Sequence, residues 1–351
     1  MTITKQTGQI IKDSIDTLTE FIVNKQIELH PHLANYTPLQ KRHFYEDTHF
    51  HLIYLAEALY HEAPIFFEEY VRWTRVFFAS INLPKDDVIN NFIVTKEALK
   101  TIMHKDNLFI ANSYINKAID IYNNEITESI SFFKPDNPLK VVAEKYLAFL
   151  LEGNKNDAYK LISDIFENGT SIKDIYIHIF QVTQKEVGRL WQTGKIFVAQ
   201  EHFITAATQY IMSRFYPHLF NSPKQNKRIV ISCVTGELHE MGPRMIADLF
   251  ELSGWDTYYF GANTPQNSLI KAIQLYKPKV LALSATMTFN ISTVEEIILK
   301  IKADETTKDT KIIVGGYPFT LSTDLWQKIG ADGLAYDFDS AYFLANSFYS
   351  N

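Results

Sequence analysis

Apolar residues recur three and four positions apart through residues 13–29, 51–78 and 112–133, with no strand-like block between them. The first 134 residues therefore predict a set of helices. Pro31, Pro38, Pro64 and Pro84 mark where helices stop or restart, and FFKPDNPLK closes the segment as a turn-rich linker. The helical period continues in 139–154, 157–169 and 171–194, which run out at Gly153, Gly169 and Gly194, and in a fourth stretch, 195–220, that Pro217 ends. Short connections between helices of similar length predict an antiparallel four-helix bundle over residues 135–224. After the polar linker NSPKQNK the period changes. RIVISCV, TYYFG, KVLALSA, KIIVGG and GLAYD alternate with amphipathic helices, which predicts five strands of a doubly wound α/β domain over residues 225–351.

Composition narrows the function classes. With 46% hydrophobic and 21% charged residues the chain reads as an ordinary globular protein, and a formal charge of -6 without a basic run argues against direct binding to nucleic acid. The single cysteine, Cys233, excludes disulfides and Cys-rich metal sites within the chain and fits a reducing, cytoplasmic setting. The N-terminus has no continuous apolar h-region and no stretch reaches about 18 uninterrupted apolar residues, so neither secretion nor a membrane span is expected.

The α/β segment carries the chemistry. Glu237-x-His239-x-x-Gly242 follows the first predicted strand, Ser284-x-Thr286 ends the third, and Gly315-Gly316 ends the fourth. In a doubly wound sheet ligands bind at the carboxyl ends of the strands, where strand order reverses, so the three pieces converge on one crevice. The arrangement, with 41 residues between Gly242 and Ser284 and 28 between Thr286 and Gly315, resembles the cobalamin-binding domain shared by methionine synthase, B12-dependent mutases and Car-type B12 photoreceptors. That resemblance implies a flavodoxin-like (Rossmann-like) fold, with His239 as the lower cobalt ligand and the displaced nucleotide tail in the crevice. A ligating imidazole needs its second nitrogen held by an acceptor, and Glu237 is the natural candidate. Gly242, before a helix opened by Pro243, would let the backbone approach the ligand; Gly315 and Gly316 would clear space for the tail, and Ser284 and Thr286 would offer it hydroxyls. The family more often has aspartate at the position of Glu237.

A second signal lies in the bundle: Trp191, nine residues, then Glu201-His202. Gly194 separates the tryptophan from the pair, placing them on successive helices that can face one cavity. This is similar to the signature of Car-type photoreceptors, in which a bundle caps the upper corrin face and encloses 5′-deoxyadenosyl. The resemblance implies that Trp191 packs on the adenosyl group while Glu201 and His202 shape its pocket; the alternative is a core tryptophan and a solvated helix start. Gln192 stands where studied photoreceptors can carry a cobalt-binding histidine, so ligation from that position is excluded; His178 on the same predicted helix could substitute but reads first as a core histidine.

The N-terminal third lacks the recognition helix and wing of Car-type repressors but is dense in His30, His32, His43, His49, His51 and His61 near Phe66, Phe67, Tyr70, Trp73, Phe77 and Phe78. Aromatic density at helical spacing is most often core. The layout is nevertheless similar to photocobilins, which implies noncovalent biliverdin as a second chromophore; otherwise the segment is an oligomerisation or partner-binding module. The resulting expectation is an adenosylcobalamin photoreceptor, not an enzyme, whose photolysis moves the cap and changes homo-oligomer assembly or binding to a downstream protein. The alternative is a methyl-carrier corrinoid protein serving separate methyltransferases, and a dark cobalamin store remains open.

Overall fold

A computed structural model describes residues 1–124 and 129–350. The chain divides into two compact units, Met1–Glu128 and Ser129–Asn351.

The first unit consists of helices α1 (Ile3–Asp13), α2 (Ile15–Leu29), α3 (Pro38–Tyr60), α4 (Pro64–Ser80), α5 (Lys85–Leu99) and α6 (Lys105–Asn124). The prolines act as starts. Pro31 opens a short 3-10 turn, Pro38 and Pro64 occupy first-turn positions, where a missing N–H costs nothing, and Pro84 caps α5. The helix expected across 112–133 ends at Asn124 among the described residues; positions 125–128 lie outside them. Helix α3 packs against α1, α2 and α4, burying Leu52, Leu55, Leu59, Phe66, Phe67 and Phe92.

The second unit opens with α7 (Lys140–Leu151), α8 (Lys155–Glu167), α9 (Ile172–Ile175), α10 (Val182–Gln192), α11 (Val198–Ser213) and α12 (Tyr216–Leu219). Gly153, Gly169 and Gly194 follow their helices with φ of +76°, +97° and +67°, the left-handed stop that glycine adopts without strain. Two features differ from the sequence-based expectation. Helix α11 ends at Ser213, before Pro217, which instead sits in the first turn of α12. Between α9 and α10 the chain takes a π-helical turn, Tyr176–Gln181, a register change that period-3.6 reasoning does not detect.

The α/β part has strands β1 (Arg228–Cys233), β2 (Asp256–Tyr259), β3 (Val280–Ser284), β4 (Lys311–Gly315) and β5 (Gly333–Ala335), all parallel in the order β2-β1-β3-β4-β5. Helices α13 (Met241–Leu252), α14 (Gln266–Tyr276), α15 (Ile291–Ala303), α16 (Tyr317–Leu321), α17 (Leu325–Lys328) and α18 (Phe338–Ser350) complete it. Strands β1, β3 and β4 are nearly continuous apolar runs, as expected for a parallel sheet covered on both faces. Registers Cys233↔Ser284, Ser284↔Gly315 and Gly315↔Ala335 bring the strand ends to one edge.

Polar contacts join the helical segment to the α/β part. The hydroxyl of Tyr176, in the π turn, donates to Asp248 Oδ2 at 2.8 Å on α13, and Arg244 donates to Tyr216 Oη at 3.0 Å. Burial pushes the Asp248 carboxyl up to about 6, against the hydrogen bond from Tyr176 and the charge of Arg244, from an ordinary 3.8. A group whose pKa rises on folding holds its proton in the folded state between those two values, so its contribution falls as pH rises from about 4 to about 6. Asp248→Asn should therefore gain stability relative to wild type as pH rises from 4 to 7, by up to about 3 kcal/mol. Thermal melts at the two pH values test this; a difference that does not change with pH contradicts it.

Candidate functional site

The loop between β1 and α13 carries Glu237 and His239 to the carboxyl edge of the sheet. Glu237 is wholly buried, which leaves its carboxylate dependent on protein donors. It has five. Oε1 accepts the backbone N–H of His239 at 3.0 Å and lies 2.6 Å from His239 Nδ1; Oε2 accepts the N–H of Thr286 at 2.7 Å, the N–H of Met287 at 3.0 Å and Asn290 Nδ2 at 3.0 Å. Burial alone would raise this carboxyl, but the hydrogen bonds from His239 and the three backbone N–H groups outweigh it and hold it at about 2.

An ionised carboxylate only accepts, so Nδ1 of His239 carries a proton facing it, and in the neutral ring Nε2 keeps its lone pair. The hydrogen bond to Glu237 raises the basicity of the ring against the opposing effect of burial, and the charges of Glu237 and of Glu201 add to it. The His239 side chain is 57% exposed. A rigidly held, basic and accessible imidazole nitrogen is what a metal bound outside the protein framework requires. The other expected residues lie along the same edge. Ser284 ends β3 and Thr286 follows it, and neither hydroxyl has a protein hydrogen-bond partner among the described residues. Gly242 lies in the first turn of α13, where an added Cβ would meet nothing within 4 Å, leaving room for a ligand at the surface of the loop.

Two expectations change in detail. Helix α13 starts at Met241, so Pro243 is its third residue and not its opening one. Gly315 and Gly316 answer first to the backbone: an added Cβ would stand 3.0 Å from Ala335 O at Gly315 and 2.0 Å from Ala285 O at Gly316. Their glycine character is already required by close approach of neighbouring strands' exits, whatever lies in the crevice. Asn290, in a 3-10 turn after β3, is a member of the site that the sequence reading missed; no spacing rule points to it.

From the helical segment, Glu201 stands at the start of α11 within electrostatic reach of His239, accepting a hydrogen bond from Thr205 and lying 3.3 Å from His202 Nε2. His202 is exposed, and Trp191, near the end of α10, is half-buried against the helical core. His178 is half-buried in the π turn.

In the N-terminal unit, the histidines enter separate partnerships. His32 is 3.1 Å from Asp87, His51 is 2.8 Å from the Tyr70 hydroxyl, and His61 is 3.1 Å from Glu57. Burial drives His51 down to about 3, and its ring packs among Tyr70, Phe78 and Phe92. Tyr54 and Tyr70 stack at 3.8 Å. Among the described residues no group of three or more His, Cys, Asp or Glu side chains is arranged to hold a metal ion, and no helix is long and apolar enough to cross a membrane. Cys233 is buried in β1, where burial pushes its thiol up to about 12.

Comparison with known proteins matches both parts of the second unit. Residues 227–342 match a family model described as B12 binding domain, and residues 142–216 match a second model with the same description. The trimethylamine corrinoid protein of Methanosarcina barkeri is 26% identical over 156 residues, 44% of this chain and 71% of that protein. A dimethylamine corrinoid protein of Methanosarcina acetivorans is 26% identical over 153 residues, 42% of this chain and 69% of that one. The solved monomethylamine corrinoid protein of Methanosarcina barkeri shares the fold with a TM-score of 0.52 at 20% identity, over 60% of this chain and 99% of that chain. The two B12-binding matches, one helical and one α/β, together with the similarity to methylamine corrinoid proteins, thus support cobalamin binding by the second unit.

Proposed function

We propose that the chain is a corrinoid carrier, holding cobalamin with His239 as lower ligand and presenting a cobalt-bound methyl group to a separate methyltransferase. The observation that carries this reading is the two-part match to corrinoid proteins, a helical B12-binding segment followed by an α/β one, centred on a histidine whose free nitrogen is prepared by a buried carboxylate. Bound cobalt would supply a site where a one-carbon group can be attached and removed. The protein's own contribution is placement: Glu237 orients the imidazole, Ser284 and Thr286 offer hydroxyls along the crevice, and Gly242 leaves the loop surface clear. The helices carrying Trp191, Glu201 and His202 would cover the opposite face of the corrin as a bundle cap, excluding water from the reactive side.

A second reading, an adenosylcobalamin light sensor, is favoured by one observation. Glu201, in the first turns of α11, lies within electrostatic reach of His239, as a helical cap facing the corrin would bring it. Trp191→Ala separates the two. For a methyl carrier, methylcobalamin and adenosylcobalamin should lose affinity to within about threefold of each other, because both rest on the same lower contacts. A loss at least about tenfold greater for adenosylcobalamin, with a change in assembly after green light, moves the assignment to the sensor. In the N-terminal unit Tyr54 and Tyr70 stack on each other at 3.8 Å and Phe66 and Phe67 are buried, and neither reading draws on biliverdin there.

A further inference from the structure

The residue after His239 makes a set of contacts that the cobalamin motif does not account for. Glu240 Oε1 accepts Gln209 Nε2 of α11 at 2.9 Å, and Oε2 accepts the Tyr259 hydroxyl at the end of β2 at 3.2 Å and the backbone N–H of Ala262 at 3.1 Å. The Tyr259 hydroxyl also lies 3.1 Å from the Glu240 carbonyl oxygen, and burial followed by the Glu240 charge raises that phenol well above its ordinary range. A half-buried carboxylate with both oxygens engaged by three elements has a fixed position, because moving any one of them leaves a donor or acceptor unmatched. One of those elements is α11, the helix whose first turns carry Glu201 and His202. Gln209 lies two turns further along α11, so the Gln209–Glu240 contact ties the backbone beside His239 to the helix that covers the opposite side of the proposed corrin slot.

We propose that Glu240 is a positioning residue: its bond to Gln209 sets the spacing between helix α11 and the His239 loop, and so determines how tightly a corrin is gripped between them. The proposal rests on the cobalamin reading above. It assigns Glu240 no contact with cobalt and no proton transfer. Its effect is on retention, because a corrin held from two sides escapes only when the two sides separate, whereas ligation by His239 depends on Glu237.

The test uses the full-length protein loaded with methylcobalamin and follows cofactor loss after dilution into a scavenger. Gln209→Glu opposes two carboxylates and should speed loss by about tenfold or more. Adding Glu240→Gln to that variant exchanges donor and acceptor across the joint, restores the pairing and should return the rate to within about threefold of wild type. The spectrum of histidine-ligated cobalamin should persist in every variant, and circular dichroism of the unloaded proteins reports folding independently. Loss from Gln209→Glu at the wild-type rate, or a double variant no slower than Gln209→Glu alone, overturns the proposal. Failure of the wild-type protein to bind cobalamin at all overturns the underlying reading instead, and the two failures are distinct.

Discussion

His239→Ala is expected to abolish the spectrum of histidine-ligated cobalamin and to weaken cobalamin binding by about 100-fold or more. The substitution removes the nitrogen that the site prepares. It also strands Glu237, whose Oε1 would keep only the backbone N–H of residue 239 while the carboxylate stays buried, a state that costs more than the lost hydrogen bond alone. Glu237→Gln is the informative companion. Glutamine can still accept from His239 Nδ1, but it cannot satisfy all the donors that converge on the carboxylate, and it lowers the basicity of the ring; a loss of roughly 10- to 100-fold, smaller than for His239→Ala, is expected. Absorption spectra and titration with hydroxocobalamin measure both. A wild-type spectrum in His239→Ala would remove His239 as the ligand.

Gly316→Ala should destabilise the second unit by about 3 kcal/mol or more. The residue sits at φ +114°, outside the region open to L side chains, and the new methyl would stand 2.0 Å from the carbonyl oxygen of Ala285 on the exit of β3. Neither partner can yield cheaply, since both belong to the backbone at the end of the central strands. The melting temperature should fall by roughly 6–12 °C for a unit of this size. Gly242→Ala makes the contrast: with φ in the ordinary range and open space around the Cβ, it should fold as well as wild type or slightly better, because alanine favours the helix. If it nevertheless weakens cobalamin binding, the glycine serves the ligand and not the fold. Thermal melts with and without cobalamin separate the two glycines; a Gly316→Ala protein melting with wild type would contradict the steric account.

The residues named from the sequence sit where one-dimensional reasoning can reach them. Five apolar runs became five parallel strands because a period of two or a continuous β-branched stretch is a property of neighbouring residues, and it needs no knowledge of distant ones. Glu237 and His239 are two residues apart in one loop, so their hydrogen bond could be read from spacing. Other parts of the site are not local. Asn290 and the N–H groups of Thr286 and Met287 reach Glu237 across 49 to 53 residues, and Gln209 reaches Glu240 across 31. Such pairs become visible only after the strands are aligned.

What the sequence determined by itself is therefore the helical segments, the five parallel strands and the Glu237–His239 loop at their carboxyl edge. The chain's local preferences also placed the glycine stops at residues 153, 169 and 194, since each requires only a left-handed residue after a helix. Tertiary structure decided the rest. It gave the buried carboxylate of Glu237 its full set of donors, made Gly316 necessary through Ala285, introduced the π turn that brings Tyr176 to Asp248, and joined α11 to the His239 loop through Glu240. The reason is physical: periodicity and propensity are summed over contiguous residues, whereas the satisfaction of a buried charge and the clearance of a backbone atom depend on groups that only packing brings together.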